Sequence, residues 1–324
     1  MPPGRVPLPT PLDLPRGDAL ARLSRRAAVL RLAQRQDGVL TFAQLYAAGL
    51  TRGDVRCELR AGRWRREGHS CVRVGEIGPT TTWWRAVLET APRAVLDGSS
   101  ALAAAGLRGV ADRWVHVAVP KSARPRRSRG VVVHETRRLR EEDVERSGVP
   151  RTRPATAAVH AALWARSDRE AALYLVAAVQ QRLCTGEEVH AAVELVRRHA
   201  RRGLLRAVVR DLVAGAESMG ELDFAELCRR HGLPRPDRQV VRTLPSGRVY
   251  LDVVWPQFRV TVEIDGVGHL DVAAASSDAL KQNAETLRGH LVLRVPVIAL
   301  RTDPLPFVRQ LEAALRAGGW QRAA

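Results

Sequence analysis

Three carboxylates stand in two neighbouring runs of residues that are otherwise typical of buried strands. Residues 250–255 contain Asp252, and residues 260–266 contain Glu263 and Asp265. Successive side chains of a strand point to opposite faces, so Glu263 and Asp265 share a face that Asp252 can reach from the adjacent strand. Carboxylates crowded together out of water are usually neutralised by a cation. The pattern therefore indicates a Mg²⁺ site suited to phosphodiester hydrolysis or, alternatively, ordinary strand residues that face solvent.

The elements around these strands predict an α+β domain over residues 215–324. Helical and strand periodicities follow one another in the order α-β-β-β-α-β-α. The predicted elements are a helix over 221–231, a strand over 239–244, the two acidic strands, a helix over 278–288, a strand over 290–295 and a helix over 306–316. This order is typical of a compact domain with a mixed sheet flanked by helices.

The formal net charge of +18 favours a polyanionic partner, with nucleic acid before a membrane surface. Residues 215–324 carry 14 Lys and Arg against 13 Asp and Glu, whereas residues 1–214 carry 38 against 21. We therefore expect contacts with DNA to lie mostly in the N-terminal part. Arginine supplies nearly all of the charge, since lysine occurs only at Lys121 and Lys281, a skew that the coding bias of a GC-rich genome also produces.

The N-terminal region predicts a winged helix-turn-helix. Helical periodicity over 21–36 is followed by a short helix that Thr41 can cap, and by a second helix that begins at Thr51 and ends at Gly62. A basic hairpin comes next. The predicted DNA-binding residues lie on the second helix and the hairpin: Arg52, Arg56, Arg60, Arg63, Arg65 and Arg66. The helix would contact the major groove and the hairpin the backbone; the alternative is a helical hairpin with a solvated basic face.

Four segments are predicted along the chain: a disordered Pro-rich tail over 1–20, the winged helix-turn-helix over 21–76, a mixed middle domain with a helical connector over 77–214, and the C-terminal domain. The predicted middle elements are helices over 83–91 and 99–107, strands over 114–119 and 130–135, and helices over 155–166, 168–183 and 186–200. The basic segment 121–129 either clamps phosphates or is a solvated hairpin tip. His116, His134 and His160 are interpreted as core or surface residues rather than ligands.

The cysteines indicate neither a zinc site nor a disulfide framework. Cys57, Cys71, Cys184 and Cys228 are scattered and have no metal-binding spacing, so we expect buried thiols in a reducing compartment. The N-terminus lacks the apolar run of a signal peptide, and no segment has about 18 uninterrupted apolar residues. The sequence therefore predicts a cytoplasmic protein that does not enter a membrane.

Several C-terminal motifs occur in order: residues 216–221, 232–236, Gln239, 251–256, 262–266, His269, Asp278, 282–283 and 289–294. Together they resemble the PD-(D/E)XK nuclease fold, and specifically the bacterial domains related to very-short-patch repair (Vsr-like) endonucleases. The resemblance implies that Asp252, Glu263 and Glu221 bind Mg²⁺ or Mn²⁺. Asp265 stands where the broader fold usually has a lysine, so a metal-bound water assisted by Lys281 or His269 is the expected nucleophile.

Upstream motifs at 38–41, 49–51, 62–64, 97–102, 116–120 and 149–152 resemble the winged-helix domain of AbiEi-type antitoxins and the domain that follows it. Those antitoxins belong to abortive-infection systems and repress their own operons. The resemblance implies DNA as a partner and a possible cognate toxin or other defence-system partner.

Two functions follow from these patterns. The first is a Mg²⁺-dependent DNA endonuclease in phage defence or DNA repair, and the alternative is an AbiEi-like transcriptional regulator or antitoxin with a silent nuclease-like domain. The complete set of three acids favours activity, whereas Asp265 in the lysine position weighs against it. An RNA-directed nuclease is less favoured because aromatic residues make up only 4% of the chain and form no recognisable stacking platform.

Overall fold

A computed structural model describes residues 17–110, 112–137, 139–214, 224–243, 249–265 and 289–321. The chain is a mixed α+β protein that divides into two compact units. Unit 1 comprises Met1–Ala94, Val119–Arg137 and Arg146–Pro150; unit 2 comprises Val95–Ala118, Arg138–Glu145 and Arg151–Ala324. The predicted middle segment 77–214 is thus shared between both units.

Unit 1 begins with helices and a small antiparallel sheet. Its elements are α1 (Gly17–Arg35), β1 (Val39–Thr41), α2 (Phe42–Ala47), α3 (Arg52–Arg60), β2 (Arg65–Arg66), β3 (Cys71–Arg73) and α4 (Thr81–Thr90). The strand order is β1-β3-β2, with Leu40 opposite Val72 and Arg65 opposite Arg73. Helix α1 begins four residues before its predicted start, within the predicted tail, whose residues 1–16 lie outside the described ranges. Strand β1 was not predicted because three residues are too few to show alternation.

Two capping boxes fix the starts of α2 and α3. The Thr41 hydroxyl accepts from the Gln44 N–H at 3.1 Å, and the Gln44 side chain accepts from the Thr41 N–H at 2.8 Å. Thr51 and Asp54 repeat the arrangement at 3.1 and 2.8 Å, at the helix start that the sequence predicted. One buried apolar cluster joins these elements: Val29, Ala33, Leu40, Leu45, Val55, Val72 and Val74.

Unit 1 also contains the segment between two longer strands. Strand β5 (Val115–Pro120) crosses the boundary between the units, and β6 (Val131–Thr136) belongs to unit 1. Near the end of β5, the Lys121 N–H donates to the Thr136 carbonyl oxygen at 3.1 Å, which closes the hairpin. The basic segment 121–129 is therefore the loop of this hairpin, as its sequence indicated.

The first half of unit 2 is largely helical. Its elements are β4 (Val95–Leu96), α5 (Gly98–Ala104), β7 (Val144–Glu145), β8 (Arg151–Thr152), α6 (Pro154–Trp164), α7 (Asp168–Gln180), α8 (Gly186–Glu194) and α9 (Arg202–Ala214). The predicted helix over 186–200 is wrong in its extent, because α8 ends at Glu194 and a separate α9 follows. Between these two helices, Arg201 donates to the carbonyl oxygens of Leu163 and Ala165 at 3.2 and 2.6 Å, a long-range contact without a local signal.

The second half of unit 2 is a mixed sheet with helices on one face. Its strands are β9 (Arg238–Thr243), β10 (Val249–Trp255), β11 (Val260–Asp265) and β12 (Leu291–Pro296), in the order β12-β11-β10-β9. Only the β11–β12 pair is parallel among these strands. The helices are α10 (Phe224–Arg230), α11 (Val297–Thr302) and α12 (Leu305–Ala317); the predicted helix over 278–288 lies outside the described residues.

The core of this half lies between the sheet and these helices. Leu251, Val253 and Ile264 point from the strands towards Phe224 of α10 and Leu311 of α12, and all five residues are fully buried. The side chains at alternate positions point to the opposite face, which carries the acids. Within the described ranges, no helix combines the length and apolarity needed to cross a lipid bilayer.

Candidate nucleic-acid interface and acidic sheet face

Two of the predicted metal ligands lie side by side on the sheet. Asp252 of β10 is directly opposite Glu263 of β11 in the antiparallel register. Opposite residues of such a pair project to the same face, and these two side chains are buried, at 9% and 8% exposure. Asp265 follows two residues after Glu263, so it extends the same face at the end of β11. We call Asp252, Glu263 and Asp265 the acidic face.

Arg294 brings a cation to the acidic face among the residues that the structure describes. It lies opposite Glu263 in the parallel β11–β12 register. Its Nε donates to Oε2 of Glu263 at 2.8 Å, and its Nη2 lies 2.6 Å from the same oxygen. Arg294 entered the sequence analysis only as the last residue of the motif over 289–294. Its pairing with Glu263 was not predicted, because the local sequence does not show which residue of β11 lies opposite it. One of the two buried carboxylates is therefore already ion-paired.

The remaining predicted catalytic residues, Glu221, His269 and Lys281, lie outside the described residues. Within the described part of the chain, no group of three or more His, Cys, Asp or Glu could hold a metal ion. Asp252 and Glu263 nevertheless supply hard oxygen donors of the kind that Mg²⁺ prefers, and Mg²⁺ commonly keeps several waters.

The arginine stripe of α3 consists of Arg52, Arg56 and Arg60. All three side chains are exposed, while Val55 anchors the other side of the helix in the core. None of the three forms an ion pair with another described residue. Asp54 of the same helix accepts the N–H and the hydroxyl of Thr51 at 2.8 and 2.7 Å. The arginine stripe is directed towards solvent.

The basic hairpin, residues 65–73, uses its arginines in different ways. Arg65 is exposed and has no ion pair within the described ranges. Arg66 donates to the carbonyl oxygens of Gly68 and His69 at 2.9 and 3.1 Å, and its guanidinium stacks over the Phe42 ring at 5.4 Å. Arg66 therefore shapes the turn of the hairpin, whereas Arg65 presents its charge to solvent.

Arg63, which precedes the hairpin, is compensated. Its guanidinium binds Glu58 of α3 through two contacts of 2.6 and 3.0 Å. The hydrogen bond from Arg63 lowers the pKa of the Glu58 carboxyl, so the pair is charged at neutral pH. Of the six predicted DNA-binding arginines, Arg63 is thus the one whose charge is offset by an acidic neighbour.

A buried carboxylate that sequence reasoning missed holds the turn of the hairpin. Glu89 of α4 is 6% exposed and accepts the backbone N–H groups of His69 at 2.7 Å and Ser70 at 2.9 Å. A Cβ at Gly68 would lie 2.6 Å from a Glu89 oxygen, so this close approach requires glycine. A glutamate on a predicted helix carries no signal that it faces a turn twenty residues upstream.

The cysteines only partly match the prediction of buried thiols. Cys71, Cys184 and Cys228 are buried, whereas Cys57 on α3 is exposed. The prediction was wrong for Cys57 because it lies on the outer side of an amphipathic helix. Burial, with a smaller contribution from Glu89, raises the pKa of the Cys71 thiol to about 12.

His160 is a core residue, as predicted. Its Nδ1 lies 2.8 Å from the carboxylate of Asp97, which is fully buried and also accepts the Gly98 N–H and the Thr152 hydroxyl, both at 2.7 Å. These bonds join α5, β8 and α6. The fully satisfied network is structural, because it leaves neither side chain accessible to a ligand.

The excess of basic residues is concentrated in unit 1. Unit 1 contains 23 Lys and Arg against 9 Asp and Glu, a net charge of +14, whereas unit 2 contains 29 against 25, a net charge of +4. A field of this size attracts polyanions and falls off over about 10 Å in physiological salt. The charge imbalance therefore coincides with the unit that carries the arginine stripe.

No family model matches the chain, and no curated protein matches it at a significant level. The Vsr-like and AbiEi-type resemblances accordingly stay predictions that rest on the motifs themselves. What the geometry adds is an exposed stripe of arginines in unit 1 and a pair of buried, register-matched carboxylates in unit 2.

Proposed function

We propose that this protein binds duplex DNA through unit 1. The order of α1, β1, α2, α3 and the β2–β3 hairpin is compatible with a winged helix-turn-helix, in which the second helix of the motif would enter the major groove. The observation that carries the proposal is the arginine stripe: Arg52, Arg56 and Arg60 are exposed on one helix without acidic partners in the described residues. The hairpin would then be the wing.

The charges on this surface set the expected strength of the electrostatic contribution. Each phosphate that is neutralised releases counterions and adds about 0.9 to the slope of log affinity against log salt. The stripe and Arg65 together provide four such cations. We therefore expect a slope of at least about 3.6 in magnitude for a duplex of arbitrary sequence. Any preference for particular DNA sequences would come from contacts with the bases, because phosphate contacts carry no sequence information.

We further propose that the acidic face supports Mg²⁺- or Mn²⁺-dependent hydrolysis of DNA. Asp252 and Glu263 would hold the ion, whose chemistry is to polarise a phosphodiester and to lower the pKa of a bound water. Arg294 would hold the Glu263 carboxylate in a fixed orientation. Glu221, Lys281 and His269 are assigned to this site by the family resemblance alone.

One observation favours the alternative, an AbiEi-like regulator or antitoxin with a toxin or other defence partner. Arg294 already compensates Glu263, and Asp265 occupies the position where the broader nuclease fold has a lysine. A carboxylate that is paired in this way can be purely structural. In that case DNA binding by unit 1 would be the whole of the protein's activity on nucleic acid.

The two functions are separated by incubating the purified protein with supercoiled plasmid in Mg²⁺ or Mn²⁺, beside an Asp252→Asn variant of nearly equal volume. Nicking by the wild type alone supports hydrolysis at the acidic face. Equal nicking by both proteins points to a contaminant. Salt-sensitive DNA binding by both proteins without nicking supports the regulator, and the absence of binding contradicts the proposal for unit 1.

A further inference from the structure

The loop between β5 and β6 is the most basic short segment of unit 1. Residues 121–129 contain five basic residues and no acidic one, and all five side chains are exposed: Lys121, Arg124, Arg126, Arg127 and Arg129. Within the described ranges only Arg127 has an acidic partner, Glu135, at 3.8 Å between two exposed side chains. Such a pair contributes little, so the loop keeps nearly all of its charge.

This basic loop is fixed at both its start and its middle. The Lys121 N–H donates to the Thr136 carbonyl oxygen at 3.1 Å, and the Arg126 N–H donates to the carbonyl oxygen of Thr90, at the end of α4, at 2.9 Å. The second bond satisfies one of the carbonyl groups that a helix end leaves without an internal partner. A loop whose backbone is already held loses less conformational entropy when its side chains bind a ligand.

The last turn of α4 also holds the basic hairpin. Glu89 binds the hairpin turn through the N–H groups of His69 and Ser70, and the next residue, Thr90, binds the basic loop through Arg126. Consecutive Cα atoms lie about 3.8 Å apart, so the two basic elements are anchored at one point of unit 1.

We infer that the basic loop is a second binding site for the phosphate backbone of DNA, which α4 holds beside the basic hairpin. The inference rests on the proposed binding of duplex DNA. It extends that binding to a loop that lies outside the predicted winged helix-turn-helix. The loop carries five like charges within nine residues, and these charges repel one another. A duplex, with one negative charge per about 1.7 Å of its axis, relieves that repulsion over several phosphates.

The test is a salt titration of DNA binding by the full-length protein, measured as the anisotropy of a fluorescein-labelled duplex of about 30 base pairs between about 50 and 200 mM salt. The loop variant carries Arg124→Gln and Arg126→Gln. The matched control carries Arg169→Gln and Arg309→Gln, two exposed arginines of unit 2 without ion pairs to described residues. A third variant, Arg56→Gln with Arg60→Gln, reports on the arginine stripe.

We expect the slope of the loop variant to fall in magnitude by about 1.8, with affinity reduced roughly 25-fold near 150 mM salt, and the control to match the wild type. A loop variant with the wild-type slope, beside a stripe variant with a reduced slope, overturns the inference and leaves DNA binding by unit 1 intact. An equal loss in the control also overturns it, because net charge alone would then explain the effect. A wild type that binds polyglutamate but not DNA overturns both proposals.

Discussion

Replacing Arg294 by methionine should destabilise unit 2 because it leaves Glu263 buried without its cation. The carboxylate is 8% exposed, and Asp252 lies directly opposite it on the neighbouring strand. Two unit charges about 4 Å apart interact by about 4 kcal/mol at an effective dielectric constant of about 20. The Arg294 side chain is 28% exposed, so solvent screening reduces that figure. We expect a loss of about 2–3 kcal/mol in the free energy of unfolding.

The loss is measured by urea titration in EDTA, followed by far-ultraviolet circular dichroism, with hydrogen exchange of the β11 amides as a local readout. The matched control is the double variant Arg294→Met with Glu263→Gln, which removes both charges. It should lie within about 1 kcal/mol of the wild type, because position 263 then carries no buried charge that has lost its Arg294 partner. A single variant that loses less than about 1 kcal/mol, or a double variant as unstable as the single one, would refute the reasoning.

Three further outcomes are expected. In the anisotropy assay, Arg65→Gln should reduce the magnitude of the salt slope of DNA binding by about 0.9. Arg63→Gln should leave the slope nearly unchanged, because Arg63 is already ion-paired with Glu58. Burial lowers the pKa of His116, so the unfolded state binds more protons just below pH 6.5, and stability should fall there with decreasing pH. Urea titrations of His116→Asn should show a weaker pH dependence. Ellman's reagent should modify Cys57 in the folded protein and spare Cys71.

The local patterns of the sequence were sufficient for much of the fold. The capping boxes at Thr51 and Thr41 and the alternation around Asp252 act over a few residues, so helix starts and the two-sided sheet were predictable. The contacts that were missed join distant residues. Glu89 reaches back to the hairpin turn, and Arg294 meets Glu263 only through a parallel register across thirty-one positions. No pattern within a single element encodes such a pairing.

The need for a divalent cation distinguishes the two functions. Asp252, Glu263 and Asp265 place carboxylates on the acidic face, and Arg294 pairs with that of Glu263. The proposed hydrolysis requires a divalent cation at this face, whereas a regulator requires none. Millimolar Mg²⁺ should accordingly raise the melting temperature of a hydrolase and leave its Asp252→Asn variant unaffected, since an ion that binds only the folded state stabilises it. If Mg²⁺ shifts neither protein, the acids serve the sheet alone, and the function of the chain lies in the DNA contacts of unit 1.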